Sequence, residues 1–374
     1  METSNIAKPS SVQSNLKIAL YIFSALVLFL FSLEVMVSSL SHLGKDLTDT
    51  ILLATTNPFV GLFIGLLLTA ILQSSSTITA LVIALVASAA LTVEAAIPII
   101  IGANIGTTIT AMIVSLGFIP KKKEFKRATA AGAYHVFFNL LTTVILFPLE
   151  YSYGFFSKLS SQVSAYFMKA PFFVRGTSTK SLTFLDHFVD FLLTILPNPF
   201  VISGLALILL FASILLFRKL ISDLVKAKSP ETFARFFFLN PWKSFGWGLV
   251  TTAAIRSSTI TTSVVVPIVA KKLAKLRQAV PFIMGANVGT TVTAIIAAFL
   301  YGTTPSAVSI AMAHFLFNLL GVIVFMFLPG IKGIPIQLAE ALGRLSMRYR
   351  FAGVLFLLLI FFIIPFSLIY LDRM

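Results

Sequence analysis

The chain has 374 residues, of which 58% are hydrophobic and only 11% are charged, and its mean hydropathy is +0.99. Soluble domains carry about 25% charged residues, so this composition excludes an ordinary soluble protein and indicates a polytopic membrane protein. The net charge of +15 favours cytoplasmic loops rich in Lys and Arg over nucleic-acid binding. Because the sequence contains no cysteine and no Asn-x-Ser/Thr sequon, it favours a bacterial plasma-membrane protein without disulfides or thiolate metal sites.

In chain order, a polar cytoplasmic tail over 1–16 precedes a first repeat over 17–150. Within this repeat, 59–88 consists of two apolar stretches on either side of a polar run, 73–77. Each stretch is shorter than the ~20 residues that a membrane span needs, which predicts a re-entrant hairpin with a polar tip. The next helix, 95–118, contains the run GANIGTT, whose glycines predict a break in the helix.

The second half follows the same plan after an amphipathic connection over 151–198, which is predicted to lie outside the cell. A second repeat covers 199–330, with a hairpin over 245–270 and a broken helix over 279–300. The remaining segment, 331–374, is predicted to be a cytoplasmic connection followed by a final transmembrane helix. The expected fold class is therefore an all-α polytopic membrane protein built from two repeats.

The repeats are visible as near-identical segments 183 residues apart. GLLLTAILQSSSTITA at 65–80 corresponds to GLVTTAAIRSSTITTS at 248–263, and GANIGTTIT at 102–110 corresponds to GANVGTTVT at 285–293. Both copies place polar runs inside apolar sequence, where an unsatisfied polar group costs several kcal/mol. In a duplicated membrane protein this arrangement is typical of a solute pathway.

The basic residues predict that the two repeats are inverted. KKKEFKR at 121–127 is strongly basic, whereas the equivalent segment of the other copy, YGTTPS at 301–306, has no Lys or Arg. Likewise KKLAKLR at 271–277 corresponds to ASAALTVE at 87–94, which has one Glu and no Lys or Arg. By the positive-inside rule, equivalent segments lie on opposite sides of the membrane and the N-terminus is cytoplasmic.

The two hairpin tips are the candidate substrate site. Backbone N–H groups at the start of a helix, together with hydroxyl donors, form a cradle for an anion. The alternative is that Ser and Thr only permit close helix packing. Arg256 departs from the repeat, which predicts Gln at that position, and it either binds a substrate oxyanion or faces a water-filled vestibule. The candidate substrate ligands are Ser74, Ser75, Ser76, Arg256, Ser257, Ser258 and Thr259.

A cation bound near the tips would have to use neutral oxygen atoms, because the hairpins and the broken helices contain no carboxylate. Neutral oxygens fit Na⁺ better than Ca²⁺ or Mg²⁺, which favour carboxylates. The glycines of the two GAN motifs either bring the backbone close to a ligand or form a packing notch. The candidate sodium ligands are Gln73, Thr77, Asn104, Thr107, Thr108, Asn287, Thr290 and Thr291.

A third pair of motifs has the spacing His-x₃-Asn, which puts both side chains on one helical face. The residues are His135 with Asn139 and His314 with Asn318. A structural hydrogen bond between helices is the favoured interpretation, and proton coupling is the alternative.

Together these motifs resemble the type II sodium–phosphate cotransporter family, over roughly 59–150 and 243–330. The resemblance rests on QSSST and its counterpart RSST, the paired GAN-[IV]-GTT runs, AYHVFFNLLTTVILFPLE and AHFLFN. It implies a bacterial sodium-coupled phosphate symporter that uses sodium as coupling ion, without another cofactor. By analogy, the two opposed hairpins suggest an elevator-like movement of a transport unit against a scaffold. It also implies that the QSSS tips hold phosphate and sodium. The sequence departs from the family at Arg256 and Thr259, where the pattern has Gln and Ser.

Other functions remain open at this stage. The hydroxyl-rich tips fit other oxyanions, such as sulfate or a carboxylate, equally well. A membrane enzyme acting on a phosphorylated lipid is a distant alternative, because no nucleophile–base pair or metal-ligand spacing recurs near the tips. The expected partners are inorganic phosphate, Na⁺ and the lipid bilayer, with no nucleic acid. The oligomeric state is left open, a homodimer included.

Overall fold

The computed structural model describes residues 56–168, 200–210, 240–300 and 304–372, together with a few residues within 24–39, 191–198 and 212–238. Throughout this described part the secondary structure is helical. The predicted tail 1–16 lies outside the described residues, as does most of the connection 151–198 beyond Met168.

Residues 56–168 form six helices. The first two, separated by a two-residue turn, form a pair that we call helix pair 1. Gly154, in a left-handed conformation, separates the last two. The bounds are α1 Pro58–Leu72, α2 Ser75–Ala87, α3 Val93–Thr107, α4 Ile109–Leu116, α5 Lys122–Tyr153 and α6 Phe155–Met168.

The second half begins with an additional helix, α7, and then follows the same order, with the single helix α10 in place of α3 and α4. It adds three segments at its end. Its α8 and α9 are separated by another two-residue turn and form helix pair 2. A five-residue π-helix, Leu359–Ile363, joins the last two α-helices. The bounds are α7 Phe200–Leu210, α8 Pro241–Ile255, α9 Ser258–Ala270, α10 Leu276–Leu300, α11 Pro305–Phe327, α12 Ile334–Arg348, α13 Ala352–Leu358 and α14 Ile364–Asp372.

Five helical segments of the described part are long and apolar enough to cross a membrane, as expected for a polytopic membrane protein. By contrast, α1, α2 and α9 have only 15, 13 and 13 residues. The five candidate spans are Val93–Leu116, Lys122–Tyr153, Leu276–Ala298, Pro305–Phe327 and Ala352–Leu371.

Glycine contacts hold each helix pair against the long helix that follows it. A Cβ added to Gly65 in α1 would lie 2.0 Å from the carbonyl oxygen of Ile99 in α3. A Cβ on the equivalent Gly248 in α8 would lie 2.1 Å from the carbonyl oxygen of Phe282 in α10. The GAN motifs show the same contact from the other side, since a Cβ on Gly285 would lie 2.0 Å from the Phe245 oxygen. Packing at backbone distance therefore accounts for these glycines.

This packing corrects the expected broken helices. The predicted break in 279–300 is wrong, because α10 runs continuously through GANVGTT. In the first copy the helix over 95–118 is interrupted only at Thr108, whose backbone stays close to helical with φ −75° and ψ −14°. A glycine inside a helix costs about 1 kcal/mol relative to Ala, and close packing against a neighbouring backbone offsets that cost.

Two further findings concern α5. The KKKEFKR segment is not a loop, because α5 begins at Lys122 and includes most of that run. At the other end, the buried Glu150 carboxylate accepts the backbone N–H of Phe156 at 2.6 Å and of Ser157 at 3.1 Å. Glu150 thus satisfies the free N–H groups that begin α6 and fixes the turn between the two helices. This is a structural role close to a helix end.

Candidate substrate and ion site

The two turns that join the helix pairs have the same backbone geometry. Gln73 and Arg256 are both left-handed, with φ 51°, ψ 31° and φ 55°, ψ 29°. The following residues, Ser74 and Ser257, are both extended, with φ −149° and −151°. A left-handed conformation at a residue other than glycine is uncommon and costs on the order of 1–3 kcal/mol. Because this conformation occurs at two equivalent positions, we infer that both turns need the same backbone geometry.

Each turn opens a helix with a serine cap. The Ser74 hydroxyl accepts the N–H of Thr77 at 3.4 Å and lies 2.8 Å from the Thr77 hydroxyl. The Ser257 hydroxyl accepts the N–H of Ile260 at 3.4 Å. The N–H groups of the first helical turn lack acceptors within the helix, and the helix dipole makes this end positive. Two helix starts of this kind attract an anion.

The tips meet each other through a pair of equivalent contacts. The Ser76 hydroxyl donates to the carbonyl oxygen of Arg256 at 3.5 Å. In the other direction, the Thr259 hydroxyl donates to the carbonyl oxygen of Gln73 at 3.5 Å. Both distances are at the long end for a hydrogen bond. The structure therefore brings together polar runs that are 183 residues apart in the sequence, and each contact has its counterpart with the copies exchanged.

The hydroxyl-bearing residues of the two tips are buried. Among them, Ser75 and Ser258 are 3% and 2% exposed, and neither hydroxyl makes a hydrogen bond to another described residue. Arg256 is half-buried, and Gln73 is exposed. Because these two residues begin α2 and α9 and their hydroxyls are not engaged in the protein, they are well placed to bind a ligand at the junction. The remaining buried members are Ser74, Ser76, Thr77, Ser257 and Thr259.

A second polar cluster links the two copies through their histidines. Nε2 of His135 in α5 lies 3.0 Å from Oδ1 of Asn287 in α10. The equivalent atom of His314 in α11 lies 3.0 Å from Oδ1 of Asn104 in α3. In each case the histidine of one copy bonds to the GAN motif of the other copy. This is the helix-to-helix hydrogen bond favoured for the His-x₃-Asn motifs.

The asparagines close this cluster into a network. Nδ2 of Asn287 donates to Oδ1 of Asn139 at 2.9 Å and to Oδ1 of Asn318 at 2.8 Å. Nδ2 of Asn318 also donates to Oδ1 of Asn104 at 3.2 Å. All four asparagines and both histidines are at most 3% exposed. The oxygen of Asn104 thus accepts two hydrogen bonds and that of Asn287 accepts one, so both side chains are engaged in the network.

The four threonines that follow the GAN motifs bond to their own helices. Each donates its hydroxyl to a carbonyl three or four residues earlier, at 2.7 to 3.1 Å. Such a bond uses the proton and leaves oxygen lone pairs available as acceptors. These residues are Thr107, Thr108, Thr290 and Thr291.

One set of buried polar groups was not among the candidates predicted from the sequence. The hydroxyls of Thr69 and Thr252 are buried and have no partner among the described residues. Thr69 lies one turn before Gln73, and Thr252 lies one turn before Arg256. The hydroxyls of Thr110 and Thr293 are buried and unpartnered in the same way. Their recurrence at the 183-residue offset was the available signal.

Comparison with known proteins connects this geometry to a family. The family model described as Na⁺/Pi-cotransporter matches residues 28–163 and 199–349. Sodium-dependent phosphate transport protein 2A of Ovis aries is 30% identical over 420 residues, covering 91% of this chain and 66% of that protein. Protein 2C of Rattus norvegicus is 30% identical over 449 residues, covering 97% of this chain and 74% of that protein.

A third relative, protein 2B of Bos taurus, is 28% identical over 435 residues, covering 91% of this chain and 63% of that protein. The chain thus spans about two thirds of the length of the sheep and bovine relatives. No solved structure matches it. The family match covers well over half of the sequence, so this chain belongs to the Na⁺/Pi-cotransporter family, a family of transporters and not of enzymes.

Proposed function

We propose that this protein is a sodium-coupled symporter of inorganic phosphate. The observation that carries the proposal is the meeting of the two tips, where Ser76 reaches the Arg256 carbonyl and Thr259 reaches the Gln73 carbonyl. These contacts bring the starts of α2 and α9 and their hydroxyls to one junction. Two relatives whose matches cover 91% and 97% of this chain are named sodium-dependent phosphate transport proteins. These names support phosphate as the solute here.

Phosphate binds at this junction through donors from both copies. The N–H groups at the starts of α2 and α9 and the hydroxyls of Ser75 and Ser258 surround the anion. The Arg256 guanidinium adds a planar fork that matches two phosphate oxygens. A desolvated arginine at membrane depth is costly, and a bound oxyanion offsets that cost.

Sodium binds next to the anion through neutral oxygens, since the described residues contain no cluster of three or more His, Asp or Glu side chains that could hold a metal. The hydroxyls of Thr69 and Thr252 join the ligands proposed from the sequence, which include Gln73 and Thr77. Asn104 and Asn287 move from the sodium site to the structural network. Sodium next to the anion raises phosphate affinity, and by linkage phosphate raises sodium affinity.

The proposal includes inverted repeats with re-entrant helix pairs. Basic residues from 121–127 and from 271–277 line one cavity, which supports a common side for these two non-equivalent segments. The 25-residue α10 is about 37 Å long, enough to cross the ~30 Å hydrocarbon core and carry 301–306 to the opposite side. The short helices α1, α2 and α9 support re-entry in place of full spans.

Transport then proceeds by an elevator-like movement of the helix pairs against the remaining helices, in a plasma membrane with the N-terminus in the cytoplasm. The proposed ligands lie on two opposed helix pairs, and each pair packs against a long helix through glycines. This arrangement supports a moving unit of this kind.

The test is uptake of radiolabelled phosphate into proteoliposomes that contain the purified protein. We expect uptake driven by an inward Na⁺ gradient and little uptake with an equal K⁺ gradient. Unlabelled sulfate or a small carboxylate should compete weakly in comparison with unlabelled phosphate. Equal uptake with K⁺ would overturn sodium coupling, and stronger competition by sulfate or the carboxylate would replace phosphate with that oxyanion.

A further inference from the structure

A basic cavity lies outside the tips and outside the histidine network. Its volume is about 680 Å³, and it is bounded by the start of α5, the end of α9 with the connection to α10, and α12. Among the described residues that line it, the one acidic side chain is that of Glu340, which pairs with Arg344 at 4.0 Å. The basic lining residues are Lys126, Arg127, Lys272, Lys275, Arg277 and Arg344.

Specific contacts hold the walls of this cavity together. Nε of Arg127 in α5 donates to the carbonyl oxygen of Ala270, the last residue of α9, at 2.7 Å. On the other wall, Gly343 of α12 packs against α5 so closely that a Cβ there would lie 2.5 Å from the Lys126 carbonyl oxygen. The three walls are therefore positioned by backbone contacts as well as by side chains. The convergence of the basic residues follows from how the helices pack.

The positive charge of the cavity is mostly uncompensated. Among the described residues, no carboxylate oxygen lies within 4.0 Å of the charged atoms of Lys126, Lys272, Lys275 or Arg277. Nearby Lys121, outside the cavity, does pair with Glu124 at 3.6 Å. The positive-inside rule needs basic residues on the cytoplasmic side, but it does not require them to line one cavity. Gathering like charges costs free energy that a bound anion would offset.

We propose that this cavity is a second anion site, which binds a ligand carrying at least two phosphate groups. Sites for small molecules typically have volumes of about 300–1,000 Å³, so the cavity holds more than a single inorganic phosphate. Arg127 and Arg277 supply forks for phosphate oxygens, and the lysines supply mobile point charges. A basic pocket between helices on the cytoplasmic side fits the headgroup of an anionic phospholipid as well as a soluble diphosphate.

Occupancy of the site connects three parts of the fold. The ligand would bridge α5, the base of helix pair 2 and α12, which otherwise repel one another through their charges. Binding therefore stabilises this arrangement against unfolding, because a ligand that binds only the folded state adds to its stability. The site shares no residue with the tips, so the proposal stands whichever anion the tips transport.

The test uses the purified full chain in non-ionic detergent and in a sodium-free potassium buffer, which leaves the tips without their coupling ion. The probes are potassium pyrophosphate, and mixed micelles containing either cardiolipin or phosphatidylcholine. Potassium chloride at matched ionic strength controls for screening. The midpoint of thermal unfolding is measured for each condition, and we expect pyrophosphate or cardiolipin to raise it by several degrees.

Two double variants separate the cavity from general surface charge. Lys272→Gln with Lys275→Gln removes two charges from the cavity, and Lys122→Gln with Lys123→Gln removes two exposed charges outside it. The cavity variant should lose most of the shift while its midpoint without probe stays equal or rises, because repulsion falls. The matched variant should keep the shift.

A shift with pyrophosphate alone identifies a soluble ligand, and a shift with cardiolipin alone identifies a lipid. The proposal is overturned if neither probe raises the midpoint, if chloride raises it equally, or if the cavity variant keeps the whole shift.

Discussion

Nε2 of His135 lies 3.0 Å from Oδ1 of Asn287, which joins α5 of the first copy to α10 of the second. The same bond recurs between His314 and Asn104 with the copies exchanged. Both pairs are buried, so neither partner has water as a substitute. The same buried histidine–asparagine hydrogen bond thus joins the two halves twice.

Replacing His135 should therefore reduce stability more than affinity. His135→Leu leaves the Asn287 oxygen without this donor, which costs about 1–3 kcal/mol for a buried group. His135→Gln retains an N–H donor and should cost less. Thermal unfolding of the purified variants measures the first effect, and the phosphate dependence of uptake should give an unchanged KM in both.

The same variants test the proton-coupling alternative. Because His135 is buried and its Nε2 holds the network, the pH dependence of uptake should be the same in His135→Gln as in the original protein. A flattened or displaced pH profile in His135→Gln would contradict the structural role and favour a proton role.

The network also shows what could be predicted from the sequence and what could not. The duplicated motifs, the short helix pairs and the polar tips at Gln73 and Arg256 follow from repeats and apolar length, which are local properties. Periodicity places His135 and Asn139 on one face, but it does not say that this face meets the GAN motif of the other copy. The oxygens of Asn104 and Asn287 therefore looked free for sodium.

The role of the glycines in the two GAN motifs could not be predicted from the sequence either. Their spacing in GANIGTT and GANVGTT is compatible with a broken helix and with a packing notch. Only the distance between backbones decides between them, and a Cβ on Gly285 would lie 2.0 Å from the Phe245 oxygen. The partner helix lies some 40 residues away in sequence, so no local pattern contains this information.

Two glycines of α8 give a matched test of this packing. Gly248→Ala places a Cβ 2.1 Å from the Phe282 carbonyl oxygen, a backbone atom that cannot rotate away. We expect destabilisation at or above the upper end of the ~1–3 kcal/mol typical of overpacking. Gly246→Ala meets nothing within 4 Å and should be neutral or stabilise the helix by up to about 1 kcal/mol.

Thermal unfolding and the yield of monodisperse protein distinguish the two variants. Equal stability of Gly248→Ala and Gly246→Ala would show that α8 and α10 are not packed at backbone distance.

The proposed topology predicts that the basic segments share one side of the membrane. The chain contains no cysteine, so Lys122→Cys and Lys272→Cys each introduce a single label site. Both residues are exposed in the structure. A membrane-impermeant maleimide should label both only from the cytoplasmic side, and labelling from opposite sides would contradict inverted repeats.

Arg256 is the position where the second tip departs from the first. If its guanidinium binds the substrate, Arg256→Lys should raise the KM for phosphate severalfold, because a point charge does not replace a planar fork. Arg256→Gln restores the residue found at Gln73 and should give a working transporter with lower phosphate affinity. Its sodium dependence should change, because the Gln carbonyl is a cation ligand that Arg lacks.

Uptake kinetics at varied phosphate and at varied Na⁺ measure both effects. An Arg256→Gln variant with unaltered phosphate KM and unaltered Na⁺ dependence would place the guanidinium in a vestibule, away from the substrate.

The central claim is that both tips form one phosphate site, and the KM for phosphate in Na⁺-driven uptake tests it most directly. Ser75→Ala and Ser258→Ala each remove one hydroxyl at equivalent positions, and a hydrogen bond to a charged group is worth about 1.5–3 kcal/mol. Each variant should therefore raise the KM at least about tenfold. Ser88→Ala, at the far end of α2, removes a hydroxyl that bonds to the Leu85 carbonyl at 3.0 Å and should leave the KM unchanged. An unchanged KM in either Ser75→Ala or Ser258→Ala would contradict a site shared by the two tips.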